Sequence, residues 1–282
     1  MRGQRRLSRA SVAPRQGLRM RLKTETSKAK GGGGREFITI FVHALIIAFV
    51  VRVFLYQPFN IPSGSMQSTL LIGDYLFVSK LSYGYSRYTF PFGWNLFSGR
   101  IFASPPKRGD VVVFKLPRDP GLDYIKRVMG LPGDRLQVRE GIVHINGRPV
   151  PRRPVDDFIQ VIDENGKTRR TRRYEETLPE GVKYFVLDAG QTRYDNTREY
   201  VVPAGHYFMM GDNRDNSTDS RVPPEGEDGE KGVGYVPFEN LVGRADIIFF
   251  SLATDEPGAL RLTRPWTWPF DIRWSRLLRL VR

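Results

Sequence analysis

Pro62 to Met66 read PSGSM, a few residues beyond the one long apolar run in the chain, FITIFVHALIIAFVV from Phe37 to Val51. A Ser-Gly-Ser turn just outside an apolar segment puts a hydroxyl where a substrate backbone can come close, because Gly64 adds no side chain. Ser65 is thereby a candidate nucleophile. The pentapeptide alone is equally a polar loop leaving a helix, so its surroundings must decide.

Arg52 follows the apolar run and is itself followed by VFLY, Val53 to Tyr56. An arginine can snorkel, and the flanking residues extend the apolar length to about 20, enough to span a bilayer. A cleaved leader would leave through small residues such as A-x-A, whereas this segment runs into VFLYQPFN. A retained anchor over residues 37–56 is expected rather than a buried core helix. Lys28, Lys30 and Arg35 precede it and few basic groups follow closely, which predicts a cytoplasmic N-terminus and a body on the other side. His43 is expected to pack or turn to the interface.

The net charge of +14 invites a nucleic-acid reading, and its distribution argues against one. Residues 1–36 carry 11 Lys or Arg against Glu25 and Glu36, and residues 261–282 carry 6 Arg against Asp271, leaving 27 basic and 27 acidic groups between. The body is neutral. The basic arm ends in a Gly run and reads as a solvated tail and linker. There are no cysteines, which excludes disulfides, thiolate metal sites and a Cys nucleophile.

Beyond the anchor come short runs rich in β-branched and aromatic residues: DYLFVSK, GDVVVFK, DRLQVREGIVHINGRPV, YFVLD, HYFMMGD and GRADIIFFS. They predict an all-β body. Asn146-Gly147 is a two-residue hairpin signal. Residues 138–205 are more polar and read as an insertion, with the charge runs RTRR and EE expected on solvated faces.

A serine hydroxyl needs a base within hydrogen-bond reach. Of three histidines, His43 is in the anchor, His144 in a strand-like run and His206 in AGHYFMM, so a Ser/His/Asp triad through His206 stays open. The other candidate is Lys126, in DYIKRVMGLPGD (Asp123 to Asp134), where Tyr124, Ile125, Val128 and Met129 offer the apolar surroundings that disfavour an ammonium. GDNRDNSTDSR, Gly211 to Arg221, has the oxygen-rich look of a calcium loop, but an EF-hand opening at Asp212 would meet Pro223 where its bidentate acid belongs.

At PSGSM, DYIKRVMGLPGD and GDNRDNSTDSR, and in RGDVVVF (Arg108 to Phe114), the chain resembles bacterial type I signal peptidase, from about residue 35 to the end. The resemblance implies a mainly β fold of the signal peptidase type: one N-terminal transmembrane helix, a catalytic β-domain in two parts (57–137 and 206–264), and an inserted second β-domain (138–205). It implies a membrane-bound serine endopeptidase that removes signal peptides from exported preproteins after an Ala-x-Ala-like site, single-pass in the inner (plasma) membrane with its catalytic domain periplasmic or otherwise extracytoplasmic. Ser65 matches the nucleophile and Lys126 the general base. The Ser63 hydroxyl and Ser65 N–H match the oxyanion donors. Ser217 matches a serine that hydrogen-bonds the lysine amine, and Asp212, Arg127, Arg214, Asp219 and Arg221 a polar network behind the site. Phe59, Ile61, Pro62, Tyr124 and Ile125 match positions lining shallow apolar pockets, and Asp123 beside them is counted among the substrate-binding residues. No metal or cofactor is implied; the partners are signal peptides and membrane lipids, not nucleic acid, and the protein is expected to act as a monomer. An acidic insertion after Arg221 and a single anchor depart from the common pattern. The tail (265–282), with Trp266, Trp268, Phe270 and Trp274 among Arg273, Arg276, Arg279 and Arg282, is expected to dock at a lipid interface.

Overall fold

The β-branched run of GDVVVFK forms the strand Val111–Leu116, with Val111 and Val113 in one apolar cluster and Val112, Phe114 and Leu116 in another. Successive strand residues point to opposite faces, so a strand with buried apolar residues on both faces belongs to a sheet covered on both sides. It sits mid-way in an eight-stranded sheet ordered Tyr56–Asn60, Asp74–Ser79, Leu241–Ser251, Val111–Leu116, Asp119–Gly130, His206–Met210 and Val236–Pro237, with Arg279–Leu280 also paired to Leu241–Ser251. Every pairing in it is antiparallel. The body is all-β, as its alternating runs predict.

The computed structural model describes residues 33–90, 97–163, 165–225, 231–257, 259 and 265–282. Most of the basic arm (1–32) and the middle of the acidic insertion (226–230) lie outside the described residues. The chain divides into two units, residues 1–43 and 44–282.

Within residues 135–201 the strands pair among themselves in two four-stranded sheets. One joins Arg152–Pro154, Thr168–Thr177, Phe158–Val161 and Lys183–Asp188, and the other Tyr200–Val201, Arg135–Arg139, Ile142–Ile145 and Arg148–Pro149. Asn146 and Gly147 take positive φ of 51° and 78° between Ile142–Ile145 and Arg148–Pro149, the primed-turn geometry their sequence calls for.

The apolar run forms the helix Gly33–Val50, extended by one wider π turn, Val51–Leu55. Gly34–Leu55 is long and apolar enough to cross a membrane, with mean hydropathy 2.6 and almost no buried surface. Two arginines of the tail depart from expectation. Trp266, Phe270 and Trp274 are exposed, but Arg276 is buried on Asp74 at 2.5 and 2.9 Å, and Arg273 pairs with Asp255 while donating to the Ile72 and Leu252 carbonyls. These two guanidiniums are spent on the body instead of on lipid, because each finds a carboxylate and free carbonyls within reach.

Candidate active site

Ser65 lies in a single 3₁₀ turn, Gly64–Met66, entered from Ser63 in extended backbone. The turn is buried and is closed by Gln67 N–H on the Gly64 carbonyl at 3.0 Å, with Leu70 N–H on Met66 O at 2.8 Å behind it. Met66 and Leu70 pack in the core beside Ile61, which is why so polar a pentapeptide holds one shape.

Lys126 comes from the long strand Asp119–Gly130, exposed over its first five residues and buried over its last five. Its amine donates to Ser65 Oγ at 2.6 Å and to the Ile125 carbonyl at 3.1 Å. Tyr124, two residues away and so on the same face of the strand, has its ring centre 5.4 Å from the amine. Burial is the main cause that lowers the Lys126 pKa from 10.5 to about 8; Asp219 and Asp212 pull it back up, and Arg221 pushes it further down. Ser63 Oγ, on the exposed side, stands 3.5 Å from Ser65 Oγ.

These groups border a cleft of about 500 Å³. Phe59, Ile61, Pro62, Asp123, Tyr124 and Ile125 all line it, and Asp123 is also paired with Lys115 at 3.0 Å. Asn216, Thr218 and Val113 line it too and were not expected from sequence. A larger cavity of about 1460 Å³, between Pro105, Val182 and Arg282, touches neither Ser65 nor Lys126. None of the histidines lines the cleft: His206 sits on the Ala204 carbonyl, His144 on that of Ile142, and His43 on that of Thr39.

Gly211–Arg221 packs against the back of the Ser65 turn. Asn213 N–H donates to the Ser65 carbonyl at 3.1 Å and its side-chain amide to the Gly64 carbonyl at 3.0 Å. Gly211 is required there, since a Cβ would fall 2.5 Å from Ser65 O and 2.2 Å from Ser217 Oγ. Arg127 is fully buried and holds Asp212 through two bonds of 2.8 and 2.7 Å, and Asp219 and Arg221 are likewise doubly bonded at 2.9 Å.

Two expectations for this loop need correcting. Ser217 Oγ is buried with no hydrogen-bond partner, so it does not bond the Lys126 amine, whose donors go to Ser65 and Ile125. Arg214 pairs with neither Asp212 nor Asp219 but reaches Glu176 in the strand Thr168–Thr177, at 3.0 and 2.5 Å, and Tyr184 OH at 3.1 Å. Glu176, expected on a solvated face, is 1% exposed. No sequence signal marks it, because its partner is 38 residues away.

The model of one protein family, described as signal peptidase, peptidase S26, matches residues 34–250. A signal peptidase I of Rickettsia canadensis (strain McKiel) is 38% identical over 273 residues, 91% of this chain and 96% of its own. One of Rickettsia typhi (strain ATCC VR-144 / Wilmington) is 42% identical over 226 residues, 77% and 80% of the two chains. The crystal structure of a signal peptidase I from Enterococcus faecalis V583 aligns with 50% of this chain and 97% of its own, at 24% identity and a TM-score of 0.29. Matched by the family over most of its length, and by a relative over 91% of it, the chain belongs to the signal peptidase family, peptidase S26.

Proposed function

We propose that Ser65 is the nucleophile and neutral Lys126 the general base of a membrane-anchored endopeptidase that cuts leader peptides after an Ala-x-Ala-like exit. Family membership already makes the chain a serine hydrolase that removes signal peptides from preproteins. The observation that carries the finer reading is the 2.6 Å contact between Lys126 Nζ and Ser65 Oγ inside a buried site.

The chemistry follows from that contact. Once neutral, the amine accepts the Ser65 proton as Oγ attacks the scissile carbonyl. The Ser63 hydroxyl and Ser65 N–H hold the charge that develops on the carbonyl oxygen. The Lys126 ammonium then returns its proton to the departing amine, leaving an acyl-serine that water releases by the same exchange. Asp212, Asp219, Arg127, Arg214 and Arg221 keep the supporting loop in place, and Ser217 fills the space behind Ser65.

The leader binds extended, with small residues against Phe59, Ile61, Pro62, Tyr124 and Ile125, a shallow apolar wall suited to alanine. The basic arm keeps the N-terminus in the cytoplasm and the body acts outside, as a single copy against lipid. It requires no metal or cofactor. The test is cleavage of a preprotein by the solubilised protein and by Ser65→Ala and Lys126→Ala. Undiminished cleavage by either variant removes the proposed pair.

A further inference from the structure

Lys80 is the second buried lysine of the body, 2% exposed, and the mechanism makes no use of it. No carboxylate bonds its amine among the described residues; the amine donates instead to three backbone carbonyls, Thr89 O at 2.6 Å, Arg52 O at 3.0 Å and Val53 O at 3.2 Å. Two of these belong to the last turn of the apolar helix. An α-helix leaves its final carbonyls without partners inside the helix, and buried ones must be met from elsewhere.

Here every carbonyl of the turn Val51–Leu55 is met. Tyr56 N–H closes onto Val51 O, and Lys80 Nζ takes Arg52 O and Val53 O. Tyr85 OH donates to Phe54 O at 2.7 Å, and Lys80 N–H to Leu55 O at 3.0 Å. The Phe54 ring is wedged edge-on between Tyr85 and Phe90, with centres 6.3 and 6.2 Å away, and Val53 is buried. Four of the five bonds come from Lys80 and Tyr85, residues of the β-body.

A span that passes into a soluble body through a loose linker has no such fittings. This one is gripped at its last turn and continues without a break into the strand Tyr56–Asn60, which leads to the cleft wall and to Ser65. Ser65 lies ten residue steps beyond Leu55, a reach of at most roughly 35 Å. A leader held by its apolar core in the bilayer presents successive bonds about 3.3 Å apart when extended. A nucleophile free to rise and fall by that much would meet neighbouring bonds in turn.

From this geometry we infer that Lys80 and Tyr85 are positioning residues for cleavage, locking the end of the membrane helix to the β-body so that Ser65 works at one height and cuts membrane-inserted leaders at one bond. The inference rests on the reading of the chain as a leader-cleaving enzyme at a bilayer. Lys80 is suited to the task by its three N–H donors on a long stem, able to serve carbonyls from two separate segments at once.

The full chain and its Lys80→Met and Tyr85→Phe variants are compared on two substrates. One is a short soluble peptide spanning the cut, in detergent; the other is a full preprotein inserted with the enzyme in vesicles of phosphatidylethanolamine and phosphatidylglycerol. A third variant, with Gly-Gly inserted between Leu55 and Tyr56, loosens the joint while leaving both side chains in place and decides the matter if Lys80→Met does not fold. The expected result is peptide cleavage within about twofold of the parent, with preprotein cleavage down about tenfold and its products spread over adjacent bonds by mass spectrometry. Equal losses on both substrates, or a single product at the parental rate in vesicles, overturns the inference. Failure of the parent to cut the peptide at all instead counts against the enzyme reading itself.

Discussion

Arg214 and Glu176 form a doubly bonded ion pair at 3.0 and 2.5 Å, both almost wholly buried, between the loop behind Ser65 and the strand Thr168–Thr177. The same seam carries backbone bonds from Leu187 N–H to Asp212 O and from Arg214 N–H to Leu187 O, and Ser68 Oγ donates to Phe185 O. The strand Lys183–Asp188 is thus stitched both to that loop and to the chain just past the nucleophile. Removing one partner of a buried pair leaves the other charge stranded. Glu176→Gln is expected to destabilise the protein by about 3 kcal/mol, measured by urea denaturation, and to lower kcat more than KM.

A second expectation concerns pH. With its pKa lowered from 10.5 to about 8, Lys126 is charged, and useless as a base, below that range. The rate should climb as pH rises through about 8 and level off above it. A profile that rises only near 10.5 contradicts the burial argument.

Stability follows the same shift. The unfolded lysine keeps its proton up to about 10.5 whereas the folded one prefers to lose it from about 8, so the penalty is fully present below 8 and fades between the two values. Lys126→Met is therefore expected to be inactive yet more stable than the parent at pH 7, by a few kcal/mol, with the gain vanishing by about pH 10.5. Thermal melts at a series of pH values check this.

Much of the β-body could be read from the sequence because each strand announces itself locally. GDVVVFK, HYFMMGD and GRADIIFFS carry the strand pattern in their own residues, and Asn146-Gly147 turns where its chemistry allows. Ser65 and Lys126 could be singled out because motif and local apolarity coincide at each. Glu176 could not: within EE beside RTRR it looks like solvated charge, and only the return of Arg214 across the fold explains its burial. Arg273 and Arg276 mislead in the same way, since aromatic and cationic residues together suit a lipid surface equally well until Asp74 and Asp255 are found beside them.

Gly211→Ala tests how tightly the loop fits. Its methyl would need space already held by Ser65 O and Ser217 Oγ, and one of the two must shift. A loss of about 1–3 kcal/mol in stability is expected, together with about a hundredfold fall in kcat as Ser65 moves off its line to Lys126. Normal kinetics from this variant would mean that the approach is looser than drawn.

Ser63→Ala should leave the fold alone, since its side chain is exposed, while removing one of the two donors assigned to the carbonyl oxygen. The expected fall in kcat is about 10²–10³ with little change in KM, read from steady-state kinetics on a peptide substrate.

The grip of Arg127 on Asp212 has one more consequence, for strand alignment. Lys126 and Arg127 are neighbours pointing to opposite sides of their strand, so a slip of one residue would exchange them. The guanidinium would then stand beside the serine, permanently protonated, and the amine would sit among the carboxylates. Only Arg127 can bind Asp212 through two matched bonds, so the side chain next door acts as a key that admits a single alignment, the one in which the basic nitrogen meets the alcohol.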